Sequence, residues 1–395
     1  MERSKCMNVP KIRFKEFKEN WDNPIIDSIF ELRNGYTPSK SIKEYWENGT
    51  IPWYRMEDIR AKGNILSEAF QYITPLAIKG SGLFKPYSII LATTATIGVH
   101  AMVIADSLAN QQFTNFSIRK SLLNKYMPEF VNYAFYKIDR WSEKNTNSGG
   151  LLSVDVKSLL KEPFYTPYYN EQQKIASYFQ SLDSLIQTIS KKLASLKQIK
   201  AASLQSMFPQ EGETVPKVRF KGFKGEWDND FISNVCKITT GKSNTQDQVK
   251  NGLYPFFIRS ENIARSNKYL YDCEAVITIG DGNIGRVFHY INGKFDLHQR
   301  CYMMRNFRNV SALYFYYYFS AFFYDRAIKM SAKATVDSVR LNMIADMNIL
   351  YPKNKLEQQK IASYFCNLDK QISLQTQRLE KLKQIKAACL DKMFV

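Results

Sequence analysis

Three histidines in 395 residues leave little material for a metal centre or for histidine-based proton transfer. The six cysteines, Cys6, Cys236, Cys273, Cys301, Cys366 and Cys389, are scattered without a CxxC pair. That spacing supports no zinc site and fits reduced thiols in the cytoplasm. Residues 1–10 hold no apolar stretch of the signal-peptide kind. The most membrane-like run, Val310–Tyr324, is too short and too rich in tyrosine to span a bilayer, and reads as a buried helix. No P-loop, G-x-S-x-G or H-E-x-x-H motif occurs. The Asn/Asp-Pro-Pro-aromatic motif of a DNA-base methyltransferase is missing too; Asn23-Pro24-Ile25 is its nearest approach. The sequence therefore carries no active site of its own. Acidic residues are also short: 37 against 55 basic ones, a formal net charge of +18. An excess of that size speaks about partners, with nucleic acid favoured because no basic amphipathic anchor or lipidation signal appears.

Gly and Pro are absent from Glu171–Phe208 and from Glu357–Val395, and these two stretches open on the same nine residues, Glu171–Phe179 and Glu357–Phe365. Each ends in Met-Phe, at Met207-Phe208 and Met393-Phe394. The displacement is 186 residues (357 − 171 = 186). A second echo, Val9–Asn23 and Val215–Asn229, is displaced by 206 (215 − 9 = 206), so the middle of the second half is about 20 residues shorter. The chain thus divides into a frame segment 1–23, a first middle 24–170, a long helix 171–208, a linker with the repeated frame segment 209–229, a second middle 230–356 and a final long helix 357–395.

Ile175, Phe179, Leu182, Ile186, Ile189, Leu193 and Leu196 alternate spacings of four and three, a heptad stripe. Ile361, Phe365, Leu368, Ile372, Gln375, Leu379 and Leu382 repeat it with one polar member. Asn170 with Gln173, and Asn354 with Glu357, resemble capping boxes. A 38-residue helix is roughly 55 Å long at 1.5 Å per residue and must bury such a stripe. Its own copy, antiparallel, is the obvious partner; pairing in a homodimer is the alternative. Domains at the ends of such a rod would suit two short DNA sequences about one turn, roughly 34 Å, apart.

The middles share a faint plan. Ile51–Tyr54 faces Tyr254–Phe257, Ser88–Gly98 faces Ala275–Gly285, and Asn110-Gln111-Gln112 is matched loosely by Leu297-His298-Gln299. Short β-branched and aromatic runs broken by Gly, Pro and Asn predict small strands, and Pro128–Lys144 and Ser311–Lys329 predict helices. Gly280–Gly285 fits G-x-G-x-x-G, but a dinucleotide site needs a helix next. Here strand residues follow, and Asn292-Gly293 looks like a hairpin turn. A tight turn is the better account.

Nucleic-acid contact falls to loops. Those at 34–40 and 240–245 stand at similar points and pair a glycine with hydroxyls and a lysine, as Tyr36, Thr37, Lys40, Lys242 and Ser243. Arg55, Arg259, Arg286 and Arg300 suit bidentate contact with guanine, and Gln111, Gln112 and Asn283 suit adenine. A solvated surface or fold-stabilising role competes at every one of them. In the repeated helices, Glu171, Gln172, Gln173, Lys174 and Tyr178, with Glu357, Gln358, Gln359, Lys360 and Tyr364, are doubled though most lie off the seam. Doubling a surface points to a doubled partner.

The double frame, the N-terminal Pro10–Phe14, the variable middles and the Glu-Gln-Gln-Lys-Ile-Ala helices together resemble the specificity subunits of type I restriction-modification systems, over nearly the whole chain. The resemblance implies an α+β protein with two compact target-recognition domains, 24–170 and 230–356, separated by long antiparallel coiled-coil helices in a pseudo-two-fold duplication. Each domain would read half of a split sequence in double-stranded DNA. Two copies of a modification subunit would bind the helices and methylate adenine N6 with S-adenosylmethionine, and restriction subunits using ATP and Mg would add to the complex. No cofactor and no catalytic residue is implied on this chain. The competing class is a coiled-coil scaffold or adaptor with nonspecific DNA binding.

Overall fold

The computed structural model describes residues 8–80, 82–147, 150, 152–331 and 338–395. Cys6 lies outside the described residues. The chain forms two compact units, residues 1–189 with 378–395, and residues 190–377.

In the first unit, the run Ser88–Ala92 is buried along its whole length. Successive side chains of a strand point to opposite faces, so such a run must feed two cores. Ile89 and Leu91 join Phe116 and Phe135 in one cluster, while Ile90 and Ala92 join Trp53, Tyr54 and Phe113 in another. The sheet around it has the order Phe30–Asn34, Phe113–Ile118, Ser88–Ala92, His100–Val103 and Ile65–Leu66. All neighbours are antiparallel except Ile65–Leu66, which runs parallel to His100–Val103. A smaller sheet places Ile51–Tyr54 between Gln71–Ile73 and Leu108–Ala109. Helix α1, Pro128–Lys144, covers one face through Phe130, Tyr133, Phe135 and Ile138; Pro128 opens it where a backbone N–H has no helical partner anyway.

The second unit repeats this plan. Its central strand, Tyr271–Ile279, sends Val276 to one core and Ala275, Ile277 and Ile279 to the other. Six strands run in the order Lys237–Thr240, Cys301–Arg305, Tyr271–Ile279, Phe288–Leu297, Tyr254–Phe257 and Ala264–Ser266. Helix α2, Ala312–Ser331, stacks Phe315, Phe319 and Phe323 along one side. Gly280–Gly285 is the turn between two antiparallel strands, and strand rather than helix follows it. Asn292-Gly293 is not a turn. Glu274 pairs with Asn292 and Cys273 with Gly293 inside an unbroken ladder, because the partner strand continues past both residues.

The two long helices, α3 (Tyr169–Ser206) and α4 (Lys355–Lys392), have 38 residues each. Their first and last parts belong to different units, and within each unit a stretch of one runs antiparallel to a stretch of the other. In the first unit, Asp183 pairs with Lys386, Tyr178 Oη lies 3.4 Å from Cys389 Sγ, and Phe179 stacks on Phe394. In the second, Asp369 pairs with Lys200, Tyr364 Oη lies 2.9 Å from Ser203 Oγ, and Phe365 stacks on Phe208. Under the displacement of the repeat these are the same contacts, made reciprocally. The stripe is therefore buried within one chain, with Ile175, Phe179, Leu193 and Leu196 all buried. Of the two capping boxes, only part of one forms. Leu356 N–H donates to Asn354 Oδ1, but Glu357 turns its carboxylate to Arg219, and Asn170 lies inside a helix that begins at Tyr169.

Candidate nucleic-acid interface

The strand ladders set up equivalent loops in both units. In the first, Gly35 N–H donates to Phe113 O and Tyr36 N–H to Ala109 O; in the second, Gly241 N–H donates to Cys301 O and Lys242 N–H to Leu297 O. A Cβ on Gly35 would stand 2.2 Å from Asn110 O, and one on Gly241 would stand 2.2 Å from Leu297 O. Only glycine lets these loops lie so close to the neighbouring strand. The same ladders correct the loose match of the facing segment. Tyr54 pairs with Ala109 as Phe257 pairs with Leu297. Asn110, Gln111 and Gln112 therefore correspond to His298, Gln299 and Arg300, one residue further on than the sequence suggested. Thr93 N–H to Gln112 O and Gly280 N–H to Arg300 O confirm that register.

In the first unit, Thr37 Oγ1 donates to Gln111 Oε1 at 2.6 Å, and Gln111 is exposed. Tyr36 is held: its hydroxyl donates to Ala77 O and accepts from Lys79 N–H. Gln112 accepts from Asn110 Nδ2 at 3.3 Å, and Lys40 is exposed. Arg55 is half-buried beside Trp53, pairs with Glu57 and opens the helix Met56–Lys62, so fold-stabilising work accounts for it.

In the second unit, Lys242 and Asn283 are exposed. Ser243 is a correction to the expected set. It is buried, and its hydroxyl donates to Asp296 Oδ1 at 2.6 Å, so it faces the interior. Arg286 lies over the Tyr324 ring and donates to its hydroxyl. Arg259 and Arg300 are brought together by Asp281, whose Oδ2 accepts from Arg259 Nη1 at 3.2 Å and from Arg300 Nη1 at 2.9 Å. Burial lowers the pKa of the adjacent His298 and the two arginines add to that shift, so its ring is neutral near pH 7. Burial pushes the Cys301 thiol up to about 12. Asp281 was not singled out from sequence; its signal was only its place in the turn after a buried strand.

The repeated helix residues divide into two groups. Glu171 is buried and accepts from Arg13 Nε and Nη2, both at 2.7 Å; Glu357 is buried and accepts from Arg219 Nε at 2.6 Å and Nη2 at 2.9 Å. Gln172 donates to Lys125 O, Thr166 Oγ1 and Pro167 O and accepts from Met127 N–H. Gln358 donates to Asn309 O and Pro352 O and accepts from Ser311 N–H. These four side chains serve the fold and present nothing to an external partner. Gln173, Lys174, Gln359 and Lys360 are exposed, while Tyr178 and Tyr364 are half-buried. Lys174 pairs with Glu16 and lies over Phe14; Lys360 lies over Phe223.

Among the described residues there is no group of three His, Cys, Asp or Glu arranged for a metal, and no helix long and apolar enough to cross a membrane.

Each unit thus presents a glycine-held loop, beside the exposed Gln111 in the first and the exposed Arg259 and Arg300 in the second. The family described as type I restriction modification DNA specificity domain matches residues 18–198 and again 224–384, and the chain belongs to that family. The EcoprrI type I restriction enzyme specificity subunit of Escherichia coli is 43% identical over 136 residues, 34% of each chain. The MjaIX specificity subunit of Methanocaldococcus jannaschii is 29% identical over 274 residues, 61% of this chain and 60% of that one. These alignments span a third and three-fifths of the relatives' lengths. Among solved structures, the type I restriction-modification S subunit of M. genitalium superposes with a TM-score of 0.69 over 98% of this chain and 99% of that one, at 14% identity. A chain from a structure of type I restriction-modification complex assembly gives 0.54 over 96% and 99%, also at 14% identity. These likenesses extend to the fold.

Proposed function

We propose that this chain is the sequence-reading subunit of a type I restriction-modification complex. Residues 24–170 and 230–356 each read one half of a split target in double-stranded DNA. Two copies of a modification subunit dock on the repeated helices and methylate adenine N6, with S-adenosylmethionine bound on those partners. Restriction subunits, with ATP and Mg, join the same complex. The chain supplies binding and orientation, the partners supply the chemistry, and the complex works in the cytoplasm.

One observation carries this reading. At equivalent backbone positions the two units keep the exposed residues at the start of each long helix identical and change several of the loop residues. Gln173, Lys174 and Ser177 recur as Gln359, Lys360 and Ser363, whereas Tyr36 becomes Lys242, Thr94 becomes Asp281 and Gln112 becomes Arg300. A repeated surface serves a repeated partner; a changed loop serves a second sequence. Exchange of residues 24–170 for the same domain of a relative, with co-expressed modification subunit and genome-wide mapping of N6-methyladenine, tests it. One half of the methylated motif should change and the other persist; a change in both halves, or in neither, refutes the modular reading. The competing scaffold predicts salt-dependent DNA binding with no base preference.

A further inference from the structure

The second unit contains a charged trio that its counterpart lacks. Where it has Asp281 and Arg300, the ladders place Thr94 and Gln112 in the first unit, and Arg259 follows two residues after Phe257, the counterpart of Tyr54. Asp281 is fixed by its surroundings. Gly280 N–H donates to Arg300 O at 2.8 Å, Val339 N–H donates to Gly280 O at 2.7 Å, and Asp281 bridges to Ser338. A Cβ on Gly280 would stand 2.6 Å from Arg300 O, so this turn lies flush against the turn that carries the arginine. The Asp281 side chain is 17% exposed, while Arg259 and Arg300 are 48% and 63% exposed. Both arginines give Nη1 to the same carboxylate oxygen. Among the described residues, Nε and Nη2 of each have no partner, so two guanidinium edges stand open on an anchored base.

A guanidinium is planar, and one charge-assisted hydrogen bond restricts where its remaining donors point. A freely hydrated arginine near DNA finds phosphates, which are sequence-blind; one held at a fixed angle distinguishes base edges. We propose that Asp281 is the positioning residue of the second unit's reading site. It holds Arg259 and Arg300 so that their open edges meet guanine O6 and N7 in the major groove. This rests on the DNA-reading function proposed above. It follows that the half-site read by the second unit contains a G·C pair whose recognition requires the carboxylate, and that the first unit reads its half without such a device.

The test uses the full chain purified with its modification subunits and a pool of randomised duplexes. Binding preferences are read base by base, and the methylated motif is mapped in cells. Asp281→Asn keeps the size of the side chain and removes its charge. It should cut discrimination at one or more G·C positions about tenfold, in one half-site, with the other half unchanged. Arg259→Lys and Arg300→Lys, which keep charge but lose the fork, should together relax the same positions. Unchanged discrimination in Asp281→Asn overturns the proposal. So does uniformly tighter binding to all duplexes, which would make Asp281 a masking counter-ion. If Asp281→Asn does not fold, the exposed lysine variants decide, and guanine preference intact in both of them overturns it. A wild-type complex without any base preference removes the DNA-reading function itself, and shows this before any variant is measured.

Discussion

Replacing Gln358 by Leu removes three hydrogen bonds made by one buried side chain. The side chain is fully buried; it donates to Asn309 O and Pro352 O and accepts from Ser311 N–H, each at 2.8 Å. Leucine is close in size, so packing is nearly conserved and the loss is polar. A buried polar group left unpaired costs about 1–3 kcal/mol. Three neighbouring groups, allowed to relax together, give about 3–6 kcal/mol. For a unit of this size, each 1 kcal/mol lowers Tm by about 2–4 °C, so a fall on the order of 10 °C is expected in calorimetry of the purified full chain. Gln358→Glu should fare no better, since a carboxylate can still accept from Ser311 but faces two carbonyl oxygens. Gln359→Leu is the control: one residue along, exposed, and expected within about 0.5 kcal/mol of wild type. Gln172→Leu should reproduce the loss in the other unit. A Gln358→Leu protein that melts with the wild type yet loses its partner would show that the side chain is a docking group, and the reasoning would fail.

The glycine-held loops make a second prediction. Gly35→Ala and Gly241→Ala each place a Cβ 2.2 Å from a backbone carbonyl, which cannot rotate away. Each should cost about 1–3 kcal/mol and weaken base preference in its own half-site alone; equal effects on both halves would break the assignment. A third concerns length. A heptad inserted after Ile189, with a matching one after Gln377, adds roughly 10 Å of helix, and the spacer of the methylated motif should grow by about three base pairs; an unchanged spacer would rule out a helical ruler. A fourth concerns pH. Burial lowers the pKa of His289 and of His298 in the folded chain. The unfolded chain then takes up protons first, so this contribution is complete above the unfolded value near 6.5 and is lost as pH falls below it. Urea midpoints of the second unit should drop between pH 7 and pH 5.5, and His289→Gln should flatten that slope.

The long helices were legible because a heptad stripe without Gly or Pro has one physical solution, and α3 and α4 begin two residues ahead of the repeated segments that announced them. The central strands were legible as strands, because short β-branched runs such as Ile89–Leu91 are bounded by turn residues, but their burial on both faces was not. What could not be read was pairing. Asn292-Gly293 has the composition of a hairpin turn, yet its neighbouring strand runs on past it, and ladder geometry outweighs a dipeptide preference. Matching of Gln112 with Arg300 required knowing that Tyr54 opposes Ala109 and Phe257 opposes Leu297, facts of register that no single segment carries. Asp281 escaped notice because its partners are distant in sequence.

The identical residues of the two helices show most clearly where sequence reasoning stops. Identity between repeats means that a constraint acts twice, but it does not say whether that constraint lies inside or outside the fold. For Glu171 and Glu357 it lies inside: Arg13 and Arg219 grip them, and the two echoes hid this by having different displacements. For Gln172 and Gln358 it lies inside as well, in carbonyls at the mouth of each helix. Gln173, Lys174, Ser177, Gln359, Lys360 and Ser363 are identical and exposed, and a coiled-coil seam asks nothing of them. Charge reversal at Lys174 and Lys360 should therefore leave Tm within about 1 °C, since surface ion pairs contribute little. It should lower the number of modification subunits bound per chain, measured by native mass spectrometry, from two to one for either substitution and to none for both. Full occupancy in the double variant would mean that the exposed identity is inherited rather than used.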